Sequence, residues 1–140
     1  MKNWVVVASL DHIEAAIVGG FIQAGHGKKS AVERFSSGDR IICYASKKQF
    51  GLPEPCQEII TIGTVQEGEI YQAGLMDNAD DTPYRRDVEY DKSLNRVKIR
   101  PLIDKLAFIE NPRHWGYPFR AGVFSIMDSD FEIIRTAMSE

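Results

Sequence analysis

No apolar run in the 140 residues approaches the ~20 that a membrane-spanning helix needs. The apolar start, Trp4-Val5-Val6-Val7, is cut short by Asp11, His12 and Glu14, so it reads as a strand and not as a signal peptide. Cysteine is scarce. Cys43 and Cys56 are too few for a disulfide framework and lack metal-ligand spacing, and two free thiols fit a reducing, cytoplasmic setting. The three histidines, His12, His26 and His114, are far apart with no His or Glu partner four residues on, so no metal site is expected. There is no G-x-S-x-G elbow, and neither Cys sits in a nucleophile context. Gly27-Lys28-Lys29-Ser30 fails the phosphate-binding loop pattern. Ile22 stands where the first Gly belongs, and Lys29 intervenes before Ser30. Hence no catalytic residues and no cofactor are expected.

Basic excess is also missing. The net charge of −3 argues against strong non-specific nucleic-acid binding. Its distribution says more. Residues 26–48 carry six basic side chains against two acidic, residues 54–81 carry seven acidic and none basic, and residues 84–105 carry seven basic against four. Two basic segments thus flank an acidic one, which leaves open a local positive surface or a mixed solvated one.

What is present suits one soluble α+β domain spanning residues 1–140, with 44% hydrophobic residues and length enough for a real core. Trp4 to Ser9 is a continuous β-rich run, placed centrally. Asp11 with Glu14, Ser30 with Glu33 and Ser129 with Glu132 each resemble a capping box at a helix start. Gly19-Gly20 ends the first helix. Phe21 to Ala24 and Arg40 to Ser46 read as strands, as does Glu58 to Val65 with Gly63 at a bulge or close approach. Tyr84 to Tyr90 and Arg96 to Pro101 read as a hairpin. Residues 67–83 read as an acidic loop with a strand near Ile70-Tyr71. In the last helix Phe131, Ile134 and Met138 share a face. Short strands with inserted helices suggest a small mixed or antiparallel sheet curled into a barrel.

Gly25-His26-Gly27-Lys28 enters a helix and presents free N–H groups suited to a phosphate or carbonyl oxygen, or else only supplies positive φ. Aromatic residues Trp4, Tyr44, Trp115, Tyr117 and Phe119 lie near polar neighbours such as Ser9, Ser46 and Arg120. Such aromatics either line a slot that stacks a base or belong to the core. Asp87 and Glu89 alternate with Arg85 on one strand, which favours a cross-strand ion pair over an acid/base couple.

Taken in order, several segments resemble one family: Trp4-Val5-Val6-Val7-Ala8-Ser9, Gly20 to Lys29, Ser37 to Ser46, Ile62-Gly63-Thr64-Val65, Tyr84 to Val88, Pro101-Leu102-Ile103, Asn111 to Gly116 and Phe119 to Phe124. The chain resembles an EVE domain, a PUA-like mixed β-barrel with inserted and terminal helices, related to the YTH domains. The resemblance implies a binding module that holds a single nucleobase, often a modified one, in a partly aromatic pocket of a DNA or RNA reader. It places Trp4, Ser9, Gln23, Gly25, His26, Gly27, Lys28, Tyr44 and Ser46 around that base, with Lys29, Arg85, Arg86 and Asp87 at the rim. Many relatives carry an aromatic where this chain has Gly25-His26-Gly27-Lys28, and His26 is the residue available to stack there. A sensor of a free nucleotide or other small molecule using the same pocket is the alternative.

Overall fold

Strand β1 (Asn3–Ala8) is apolar at almost every position because both of its faces are covered. In the computed structural model, which describes residues 1–73 and 83–140, β1 pairs in parallel with β3 (Arg40–Lys47) and antiparallel with β8 (Val123–Ile126). Side chains alternate across a strand. Trp4 and Val6 therefore enter one core with Ile41, Cys43 and Ala45, while Val5 enters another with Ile42 and Tyr44.

The mixed sheet runs β2-β6-β4-β3-β1-β8 and curls into a half-barrel. Its members are β2 (Phe21–Ile22), β4 (Pro55–Val65) and β6 (Tyr84–Tyr90), with β5 (Tyr71–Gln72) added to β6 and β7 (Val97–Lys98) to β4. Helices α1 (Leu10–Gly19) and α2 (Lys29–Val32) cover the first core through Ile13, Ala16 and Val32. Helix α3 (Asp128–Ser139) covers the second with the expected face of Phe131, Ile134 and Met138. Among the described residues no helix is long and apolar enough to cross a membrane.

Gly63 marks a close approach, as its position in β4 suggested. A Cβ there would sit 2.5 Å from Val88 Cγ1 and 2.8 Å from Tyr90 Cδ1. The expected hairpin of residues 84–101 does not form. Both β6 and β7 run antiparallel to β4 along one edge of it, β6 against Gly63–Val65 and β7 against Glu58–Ile59. Because β3 holds the other edge of this long strand, the chain after β6 can only continue along the same edge. The three capping boxes also fail, since none of α1, α2 and α3 has a side-chain cap at its N-terminus. Ser9 instead donates its hydroxyl to the Asp11 carboxylate. The acidic loop's predicted strand appears as β5, and residues 74–82 lie outside the described ones.

The two thiols are kept apart. Cys43 lies opposite Thr61 on β4, five positions from Cys56 and so roughly 15 Å away along the strand, too far for a disulfide. Complete burial pushes the Cys43 thiol up to about 12, which leaves it an inert core side chain.

A buried carboxylate ties the start of this sheet together. Asp39 accepts from the Lys2 N–H at 2.8 Å, the Ser36 N–H at 2.9 Å and the Trp4 indole Nε1–H at 2.9 Å. Burial alone would favour the neutral acid, but the three donors together hold the carboxyl below its ordinary range. A lowered folded-state pKa means that the carboxylate's stabilisation is complete above its unfolded value of about 3.9 and is lost as pH falls through the folded value. Asp39→Asn should therefore lower stability at neutral pH by about 1–3 kcal/mol. It should also flatten the loss of stability below about pH 4. Urea unfolding of both proteins across that pH range measures the two effects.

Candidate functional site

Parallel pairing carries β1 and β3 to the same end of the sheet. The last partners are Ala8 and Ala45, so Ser9 and Ser46 follow side by side at one rim. Asp11, in the first turn of α1, then draws a third segment in. Its N–H donates to the Lys48 carbonyl at 3.2 Å, and its carboxylate accepts from the Phe50 N–H at 3.2 Å and the His12 N–H at 2.9 Å. The Ser9 hydroxyl is the chief group holding the Asp11 carboxyl below its usual range. Burial opposes it, and the two N–H groups reinforce it.

This lacing fixes the loop after β3 so that Phe50 lies over His12, the rings stacked at 4.9 Å with 19° between planes. His26 meets the same Phe50 edge-on, centroids 6.5 Å apart. Phe50 is nevertheless 61% exposed, with Leu52 exposed beside it in sequence. A large apolar ring held in water by backbone bonds, next to a carboxylate and the hydroxyl bound to it, has the make-up of a binding edge.

The Gly25–Gly27 turn forms the opposite wall. Gly25, His26 and Gly27 all have positive φ, of 57°, 60° and 82°. Glycine accepts this freely, but His26 does not, and a non-glycine residue in that conformation costs on the order of 1 kcal/mol. Gly27 is also sterically fixed, since a Cβ would come within 2.7 Å of Pro83 Cβ. Lys28 is exposed and, among the described residues, makes no ion pair. Lys29 pairs with Glu33 at 3.9 Å.

Of the residues the resemblance implied, His26 on the Gly25–Lys28 turn meets Phe50, Ser9 binds the Asp11 that holds Phe50, and Ser46 follows the paired ends of β1 and β3. Gln23 and Arg85 stand on the flank of that turn, with Arg85 Nε donating to Gln23 Oε1 at 2.9 Å and its guanidinium 3.8 Å from the centre of the Phe21 ring. That placement also turns Arg85 onto Gln23, not onto a carboxylate of its own strand. Trp4 and Tyr44 do not line this edge. Trp4 is buried against Phe35 and bound to Asp39, and Tyr44 is buried in the other core, stacked on Phe119 at 4.1 Å. They occupy positions of opposite parity on paired strands, so the sheet itself separates them. Arg86 also turns inward, donating to the Phe35 carbonyl at 2.6 Å and the Gln66 carbonyl at 3.4 Å, which removes it from the rim. Asp87 faces out and accepts from the Tyr71 hydroxyl at 2.8 Å.

Asp11, His12 and Phe50 were missed as site residues in the sequence. The available signal was Phe50 and Leu52 among Gln49, Gly51 and Pro53: large apolar side chains in a turn that offers no core to bury them. Two surface clefts lie elsewhere, one between the end of α1 and β6 and one between α3 and residues 97–105.

The chain matches the EVE domain family over residues 2–137. It belongs to that family. Among relatives, a UPF0310 protein of Mycobacterium avium is 43% identical over 140 residues, covering 100% of this chain and 99% of its own. Another from Mycolicibacterium gilvum is 42% identical over 139 residues, covering 99% and 96%. Solved structures of the same fold include Rpa0253 from Rhodopseudomonas palustris, with TM-score 0.61 and 16% identity over 99% of this chain and 93% of that one. The Mmi1 YTH domain gives TM-score 0.59 and 11% identity over 98% and 74%. The expected PUA-like, YTH-related architecture is therefore the architecture of this EVE domain.

His26→Gly should leave stability unchanged or raise it by up to about 1 kcal/mol, because the residue is released from a left-handed conformation. A fall in the thermal midpoint would show that His26 is held there for packing instead.

Proposed function

We propose that this EVE domain is a nucleic-acid-binding module that takes one nucleobase against the His12–Phe50 ring pair and performs no chemistry on it. The observation that carries the reading is the exposed, backbone-pinned Phe50 ring, stacked on His12 at 4.9 Å beside the Asp11 carboxylate that holds it. A base laid on such a ring gains about 1–3 kcal/mol by stacking, whatever its identity. Discrimination then falls to the polar edge. The Ser46 hydroxyl and the N–H groups of Gly25 and His26 donate to ring or carbonyl acceptors, and the Ser9 hydroxyl, held on Asp11, offers its lone pairs. The Asp11 carboxylate, ionised at neutral pH, accepts from an exocyclic amine.

Extruding a base from a duplex costs a few kcal/mol, comparable to what one stacking contact returns. The reading therefore favours a single strand, or a site where a modified or mismatched base is already loosely held. Lys28 on the turn, with Arg85 on the flank, supplies positive charge for the backbone beside the base.

Phe50→Ala should weaken binding of single-stranded RNA or DNA oligonucleotides by about tenfold or more, and His12→Ala by less. Fluorescence anisotropy at low salt, with unmodified and base-modified strands, measures this. Wild-type affinity in Phe50→Ala, or no binding of any strand, would overturn the proposal. So would release of a cleaved or altered base that depends on His26.

A further inference from the structure

The chain before β8 carries aromatic and basic residues that the base-binding edge does not use. Residues 112–121 form two short 3-10 turns, Pro112–His114 and Tyr117–Ala121. Phe119 anchors them. Its buried ring stacks on Tyr44 and meets Trp115 edge-on at 6.2 Å. The Gly122 carbonyl then accepts the Val7 N–H at 2.8 Å, continuing the antiparallel register in which Val123 faces Val6. Following that register back from Gly122 leads toward the end of β1, where Ser9 stands. The segment therefore borders the same end of the sheet as the proposed base site.

On this anchored segment Trp115 is half-buried against the second core, while Arg113, His114, Tyr117 and Arg120 face solvent. Tyr117 is 71% exposed, with the Arg120 guanidinium over its ring at 5.8 Å. Arg100 lies over Trp115 at 5.4 Å. Arg113 is exposed, and among the described residues Arg100, Arg113 and Arg120 form no ion pair. The charge is concentrated too. Residues 111–121 hold two arginines and no acidic side chain in a chain whose net charge is −3. An exposed guanidinium over a ring can be simple surface packing, worth about 0.5–1 kcal/mol. That accounts for each pair alone, but not for two pairs and unpaired cations gathered on a rigid turn in an acidic protein. Fixed aromatic faces for stacking, with arginines for phosphates, are what a single-stranded polynucleotide requires.

We propose that the Arg113–Arg120 surface is a second contact for nucleic acid, stacking a neighbouring base on Tyr117 and binding flanking phosphates through Arg113 and Arg120. The proposal rests on the base-binding reading and narrows it. The ligand is a strand several nucleotides long, not a free nucleotide.

The test compares 5′-mononucleotides with single-stranded RNA and DNA oligomers of increasing length, on wild type, Tyr117→Ala, Tyr117→Phe, Arg113→Ala/Arg120→Ala and Phe50→Ala. Affinity should rise with length in the wild type. Tyr117→Ala should cut oligomer affinity about tenfold and Tyr117→Phe should restore it, while mononucleotide binding is unmoved by either. The double arginine variant should reduce the slope of log affinity against log salt by about 0.7 for each phosphate it no longer neutralises. Phe50→Ala should weaken both ligand classes. If the Tyr117 and arginine variants bind oligomers like wild type while Phe50→Ala does not, the second surface is refuted and the base site stands. If mononucleotides bind as tightly as oligomers, the strand-length claim is refuted as well. If no probe binds the wild type, the base-binding reading fails and this inference falls with it.

Discussion

The parallel pairing of β1 with β3 is the constraint on which the rest of this molecule depends. Two strands that run the same way end at the same place, so the residues that follow them, Ser9 and Ser46, must share a rim. An antiparallel pair would have sent them to opposite ends. Parallel pairing also forces a crossover, and α1, the Gly25–Gly27 turn and α2 all lie in the connection between the two strands. Three of the four pieces of the candidate site, namely the end of β1, the start of α1 and the Gly-His-Gly turn, therefore belong to one connection. The fourth, the loop bearing Phe50, is the exit from β3 and is laced back by Asp11.

The central place of β1 was legible because burial on both faces leaves a plain trace. Trp4 to Val7 and Ile41 to Ala45 are apolar without alternation, and both proved central. Alternation within those strands was the part that could not be assigned. Trp4 and Tyr44 each lie in an apolar run, and nothing local says that they point to opposite sides of one sheet. The register that separates them is set across the chain, through contacts such as the Trp4 indole on Asp39, 35 residues apart. Arg86 was illegible for the same reason. Only the fold shows that its guanidinium is spent on the carbonyls of Phe35 and Gln66.

The candidate site was half legible. The Gly25–Lys28 turn declared itself through its glycines, which a run of positive φ requires. His12 and Phe50 did not, because their pairing joins a helix to a loop 38 positions later and depends on two backbone hydrogen bonds to one carboxylate. At the Phe50 edge the ring stays in water because its backbone is bonded to Asp11, at the start of the helix that follows β1. The Tyr117 surface is tied to β1 through the Gly122 carbonyl. The rigidity of the edge is thus inherited from the sheet.

The contact between Gly27 and Pro83 gives that inheritance an evolutionary form. With Pro83 packed where a Cβ of residue 27 would lie, the turn and the entry to β6 share a single volume. Neither position is free to vary alone: a larger residue at 27 is admissible only if 83 gives way, and a change at 83 alters the backing of His26. Across EVE domains the two sites should therefore drift as a linked pair, and a lineage that reshapes the base-facing turn should carry its mark at the start of β6.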